Sequence, residues 1–189
     1  MIGLPDRIAA GETLCGDGAW GTQLMARGLK PGDSFEAINQ TRPEVLAEIA
    51  TLYMDEGAQL ITTNTFGGSP LNLAGHNLDG RTEEINRAAV EAIRPVTRKR
   101  ALISGSVGPT GKILAPYGNT EPTAISESFD RQIGALVDAG VDEQVAAIKR
   151  PGPVAVPNLR AVARAFGLAI GIYALVGVGF AVWGKPPQM

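Results

Sequence analysis

Hydrophobic positions recur at helical spacing in three stretches of the chain, and a short apolar run ending near glycine precedes each. Val45, Leu46, Ile49, Leu52 and Tyr53 share one face of a helix predicted over 42–56. Thr41-Arg-Pro-Glu44 introduces it as a capping-box pattern with a proline in the first turn, and Gly57 ends it. Ile85, Ala88, Ala89, Ala92, Ile93 and Val96 predict a second helix over 83–100, whose last turn Pro95 can kink. Ile125, Phe129, Ile133, Leu136 and Val137 predict a third over 124–139, stopped by Gly140. The runs 13–17, 59–63 and 101–104 read as strands, each passing into a polar or glycine-rich loop. Strands and helices alternating in this way predict an α/β fold of parallel βα units. Three such units are visible and a fourth strand is expected at Val141, but the chain turns polar at Asp142, Glu143 and Gln144.

The pattern then changes kind. Pro151-Gly-Pro-Val-Ala-Val-Pro157 favours an extended linker, since three prolines remove backbone donors. From Ala165 to Trp183 no residue is charged, and none carries an amide or carboxylate side chain. A helix over those 19 residues reaches about 29 Å, close to the roughly 30 Å hydrocarbon thickness of a bilayer. A soluble helix normally keeps one polar side, so 165–184 is expected to be a transmembrane helix. A wholly buried helix or strand run of a larger fold is the alternative. Within it Gly167 and Gly171 form a GxxxG pair suited to helix packing, although ordinary glycine tolerance in a membrane helix explains them as well. Tyr173 lies near mid-span, and Trp183 sits where an interfacial aromatic is expected.

Charge sharpens this division. The chain has 17 Lys and Arg against 19 Asp and Glu, but residues 143–189 alone carry +4 and the remainder −6. Lys149, Arg150, Arg160 and Arg164 precede the span, which by the positive-inside tendency places the body in the cytoplasm, with Arg160 and Arg164 at anionic headgroups. The expected organisation is an α/β domain over 1–142, a basic proline-rich linker over 143–164, a single-pass helix over 165–184 and a short tail over 185–189. The N-terminus lacks the basic start and apolar run of a secretory signal. One cysteine, Cys15, forms no internal disulfide, and with His76 it leaves the chain poor in soft metal ligands.

Three loop motifs follow predicted strands, where parallel α/β proteins build their sites: Gly16-Asp-Gly-Ala-Trp-Gly-Thr22, Thr63-Asn-Thr-Phe-Gly67 and Gly105-Ser-Val-Gly-Pro-Thr-Gly111. In this order and spacing they resemble the homocysteine S-methyltransferase family, including the homocysteine-binding domain of cobalamin-dependent methionine synthase. Leu29 to Asp33, Asn39, Pro43, Gly57-Ala58 and Leu114-Ala-Pro-Tyr-Gly118 add to the resemblance, which runs over about 14–142. It implies a (β/α)8 barrel with homocysteine over the strand ends. Asp17, Gly18, Ala19 and Trp20 would then contact substrate, with Asn64 and Thr65 lining the same face. Physically, glycine-rich backbone can approach a carboxylate, and Asp17 can face an ammonium. Alternatively the glycines only permit turns, and Asp17 caps a helix or bonds the loop.

The departure from the family matters as much. Its members activate the homocysteine thiol on zinc held by later cysteines, one in a mid-barrel motif and a pair near the end of the domain, and none of these is present. Cys15 and His76 are too few for a zinc site and match no family ligand position, so no cofactor is expected. Cys15 is expected to pack as a small buried residue, and His76 to lie on the surface. Three of eight βα units make an open, truncated barrel whose edge must be covered by a second copy, a partner, the folded-back linker or a rearranged sandwich. The expectation is a membrane-anchored, non-catalytic accessory subunit of a larger membrane complex, respiratory or photosynthetic assemblies being one home. Its partners would be lipid, other transmembrane subunits and homocysteine if the site survives, with no nucleic acid. The alternative is homocysteine S-methyltransferase activity with zinc ligands from another chain.

Overall fold

The computed structural model describes residues 4–114 and 117–142. The linker, the span with Gly167 and Gly171, and the tail lie outside them. No helix among the described residues is long and apolar enough to cross a membrane.

The described chain is a small parallel sheet with helices packed against it. A short helix α1 (Leu4–Ala9) and α2 (Trp20–Ala26) are followed by α3 (Ile38–Thr41), α4 (Pro43–Asp55), β1 (Leu60–Thr62), α5 (Pro70–Leu73), α6 (Thr82–Thr97), β2 (Leu102–Ser104) and α7 (Pro122–Asp138). The three long helices match the periodic stretches. Proline supplies the first turn of α4 and of α7, where its missing N–H has no helical partner to lose. Pro95 lies inside α6, which ends at Thr97 rather than running on to residue 100.

The capping box does not form. Thr41 closes α3, and its hydroxyl donates back to Ala37 O at 3.2 Å, so Arg42 occupies the N-cap of α4 without a side-chain cap. A four-residue helix is too short to show a period, which is why the pattern read as a helix start.

β1 and β2 pair in parallel, Ile61 opposite Ile103. The predicted first strand is reduced to one bridge, Gly16 to Leu60. It still lies alongside β1, because Gln59 N donates to Cys15 O at 2.8 Å and Asp17 N to Leu60 O at 2.9 Å. On the other side, Leu102 N and Ser104 O face β1, so the N–H and C=O of Ile103 point away from it. There Asp142 N donates to Ile103 O at 3.0 Å, and Ile103 N donates to the Asp142 carboxylate at 2.7 Å. The polar turn at Asp142 therefore begins a fourth strand position, and its carboxylate satisfies the edge.

Alternation sends Ile61 and Ile103 to the helical side. They join Leu46, Ile49, Ala50, Val90, Ile93 and Leu136 in one buried cluster. Helix α6 packs against both α4 and α7. The Glu83–Arg131 ion pair and an Arg94 hydrogen bond to Ala139 O join α6 to α7 at the surface. The other sheet side carries Leu60, Thr62, Leu102 and Ser104, the residues that lead into the loops of the site.

Candidate functional site at the strand ends

Asp17 sits where the first strand position ends. Its Oδ2 accepts from Trp20 Nε1 at 2.6 Å and Thr62 N at 2.8 Å, and the single Thr62 hydroxyl proton is shared between Oδ2 at 2.9 Å and Oδ1 at 3.2 Å. One oxygen is thus surrounded by donors and the other keeps acceptor capacity. Burial raises the Asp17 pKa above its ordinary value, against the opposing pull of the Trp20 and Thr62 hydrogen bonds.

Tyr53 holds the following backbone. Its hydroxyl donates to Ala19 O at 3.1 Å, and its ring edge lies 2.8 Å from where a Cβ on Gly18 would stand, so a side chain there would displace the Tyr53 ring. Ala19 is exposed, whereas the Trp20 ring enters the core. The first loop therefore exposes backbone at Ala19 and keeps acceptor capacity on the half-buried Asp17 carboxylate, with its aromatic ring turned in.

The loop after β1 is built differently. Asn64 is 6% exposed; its Nδ2 donates to Phe35 O at 2.7 Å and to Asn39 Oδ1 at 2.8 Å. Asn39 Nδ2 returns hydrogen bonds to Asn64 O at 2.9 Å and Ile85 O at 3.2 Å. Both Asn64 protons are spent inside the protein, which leaves its Oδ1 as the group able to serve a ligand.

Thr65 is fully buried and belongs to a closed ring of hydrogen bonds. Ser106 N donates to Thr63 Oγ1 at 3.0 Å, and Thr65 Oγ1 donates to Ser106 O at 2.7 Å. Because that uses Thr65's one proton, the 2.6 Å contact between the two hydroxyls must be donated by Thr63. The ring laces the loop after β1 to the loop after β2. Gly108 N adds a hydrogen bond to Phe66 O, at 2.9 Å.

Of the six residues expected at the site, Asp17 and Asn64 each keep an acceptor to offer, and Gly18 and Ala19 offer backbone. Trp20 orients Asp17, and Thr65 stitches loops together. Sequence reasoning missed Thr62, the main partner of Asp17, and did not assign Asn39 to the site; neither residue type signals such a role by itself. Cys15 is exposed rather than buried, in a first strand position that makes a single bridge at the edge of the described sheet. His76 is exposed, as expected. Among the described residues no cluster of three or more His, Cys, Asp or Glu can hold a metal ion, so they do not fit a zinc centre.

A family model described as Homocysteine S-methyltransferase matches residues 14–147. The chain is 32% identical to Methionine synthase of Mycobacterium tuberculosis over 148 residues, covering 71% of this chain and 12% of that protein. It is 32% identical to Homocysteine S-methyltransferase of Escherichia coli over 144 residues, covering 67% of this chain and 46% of that one. The oxidized form of the homocysteine methyltransferase MmuM from Escherichia coli superposes with a TM-score of 0.61 at 27% identity, over 72% of this chain and 54% of its own. Its metallated form gives 0.61 at 28% identity, over 72% and 55%. The chain spans about half or less of the length of each of these proteins.

Proposed function

The chain belongs to the homocysteine S-methyltransferase family, and on that premise we propose that its body binds homocysteine by the amino acid end. The ammonium meets Asp17 Oδ1 and Asn64 Oδ1, and the backbone N–H groups of Gly18 and Ala19 receive the carboxylate. The observation that carries this reading is the lopsided carboxylate of Asp17, with two N–H donors and a share of the Thr62 hydroxyl proton on Oδ2 and acceptor capacity left on Oδ1. An ammonium placed there offsets the burial that otherwise disfavours the charged form. Methyl transfer to the thiol, the activity for which the relatives are named, needs the sulfur as thiolate. No cluster of the described residues would hold it so, and we assign that step to ligands supplied by another chain.

The test is calorimetric titration of the full chain in mild detergent with L-homocysteine, beside Asp17→Asn. Saturable binding that the substitution weakens at least about tenfold, roughly 1.4 kcal/mol, supports the assignment. Binding of equal strength in the two proteins contradicts it.

A second reading concerns location. The uncharged stretch over 165–183, with basic residues before it, favours single-pass attachment of a cytoplasmic body to a membrane, among lipid and other transmembrane subunits. Retention of the full chain in membranes after alkaline carbonate washing is expected, and release into the supernatant contradicts it. Sizing after mild-detergent extraction tests for partner subunits. An accessory subunit co-migrates with other chains, and a lone monomer argues against that role.

A further inference from the structure

Gln132 is a fully buried residue of α7, and it reaches both loops of the laced pair. Its Nε2 donates to Thr65 O at 2.6 Å and to Ser106 O at 3.4 Å. Asn86, equally buried on α6, donates to Gly68 O at 2.8 Å and to Thr82 O at 2.7 Å. The two amides converge on Gly68, where a Cβ would lie 2.5 Å from Asn86 Oδ1 and 3.0 Å from Gln132 Nε2. Only glycine lets them come so near.

This arrangement is poor for stability. Asn86 Oδ1 and Gln132 Oε1 are buried without a hydrogen-bond partner among the described residues, and such orphaned acceptors carry a desolvation penalty. The carbonyls that Gln132 serves also have other donors, since Gly68 N reaches Thr65 O at 2.9 Å and Thr65 Oγ1 reaches Ser106 O at 2.7 Å. An apolar side chain of the same length would fill the position and bury no polar group. What the amide adds is a fixed spacing between two loops.

We propose that Gln132, supported by Asn86, is a positioning residue. It sets the loop that carries Asn64 against the loop after β2, and thereby fixes where Asn64 Oδ1 stands. The effect on ligand rests on the homocysteine reading above; the effect on the loops does not.

The experiment compares the full chain with Gln132→Met in mild detergent, by thermal unfolding, amide hydrogen exchange and homocysteine titration. The expected result is an unchanged or higher Tm, with the Gly68 and Ser106 amides exchanging about tenfold faster while α4 is unaffected. Homocysteine affinity falls by about the same factor. Unchanged exchange at the two loops overturns the proposal. So does exchange raised uniformly across the domain, or loss of a cooperative transition, because the amide would then be a requirement of folding. Faster loop exchange with unaltered affinity overturns the role toward ligand. If the unsubstituted chain binds no homocysteine, the functional reading fails, and the exchange data still decide whether Gln132 sets the loops.

Discussion

The loop after the first strand position and the loop after β1 look alike in sequence, each a few polar and glycine residues at a strand end, yet they are built to opposite ends. The first keeps acceptor capacity on a half-buried carboxylate beside exposed backbone, braced by Trp20, Thr62 and Tyr53. The second folds its hydroxyls and amides inward, so that Thr63, Thr65 and the two protons of Asn64 are consumed by the protein. A glycine-rich loop at a strand end is therefore no indication of ligand contact by itself. What separates the two is the hydrogen-bonding capacity left after the internal partners are counted.

Removing the inward-facing groups of the second loop, or their buried partners, should act on stability, and removing the Asp17 carboxylate on ligand. The largest effect is expected from Asn39→Ala, which strips partners from Asn64 and from Ile85 O inside the core. It should cost about 3 kcal/mol in chemical unfolding. Thr65→Val opens the hydroxyl ring and leaves Thr63 with a stranded proton, for a loss of about 2 kcal/mol by the same measurement. A change below about 0.5 kcal/mol in either would erase the distinction between the loops.

Asp17→Asn should behave the other way, with a small change in stability and a large one in affinity. Its stability effect also depends on pH. An aspartate whose folded pKa lies above its unfolded value contributes most below the unfolded pKa, and that contribution is lost as pH rises through the folded value. The stability of the unsubstituted chain relative to Asp17→Asn should therefore fall from acid to neutral pH, as urea titrations at several pH values would report. The smallest effect belongs to Glu83→Gln, at the exposed pair with Arg131. That hydrogen-bonded ion pair holds the Glu83 pKa below its ordinary value, so its contribution is present above the unfolded pKa and fades as pH falls through the folded one. Solvent screening limits it to about 0.5 kcal/mol or less, and added salt should reduce it further.

The helical layer was legible because a period of 3.6 stands out over 13 to 17 residues, as in α4 and α7. The strands were legible as apolar runs but not in length, since β1 and β2 each span three residues and the first position makes only one bridge. Where a strand stops depends on its neighbour, which no local pattern records. The site was half legible. Asp17 and Asn64 stood out by motif, but Thr62, Asn39 and Gln132 act through partners 45, 25 and 67 positions away. One clue was present for the last of these. Gln132 falls three residues after Phe129 and four before Leu136, a polar residue on an apolar stripe, and Asn86 interrupts the stripe of Ile85, Ala89 and Ile93 in the same manner.

The proposed contact between a ligand ammonium and Asp17 Oδ1 is tested most directly by the pH dependence of homocysteine affinity for the full chain and for Asp17→Asn between roughly pH 4 and pH 8. Affinity is expected to strengthen as pH rises through the raised Asp17 pKa, with a proton released on binding below it, and the variant to respond weakly and independently of pH. Equal affinities with parallel pH profiles in the two proteins would contradict that contact.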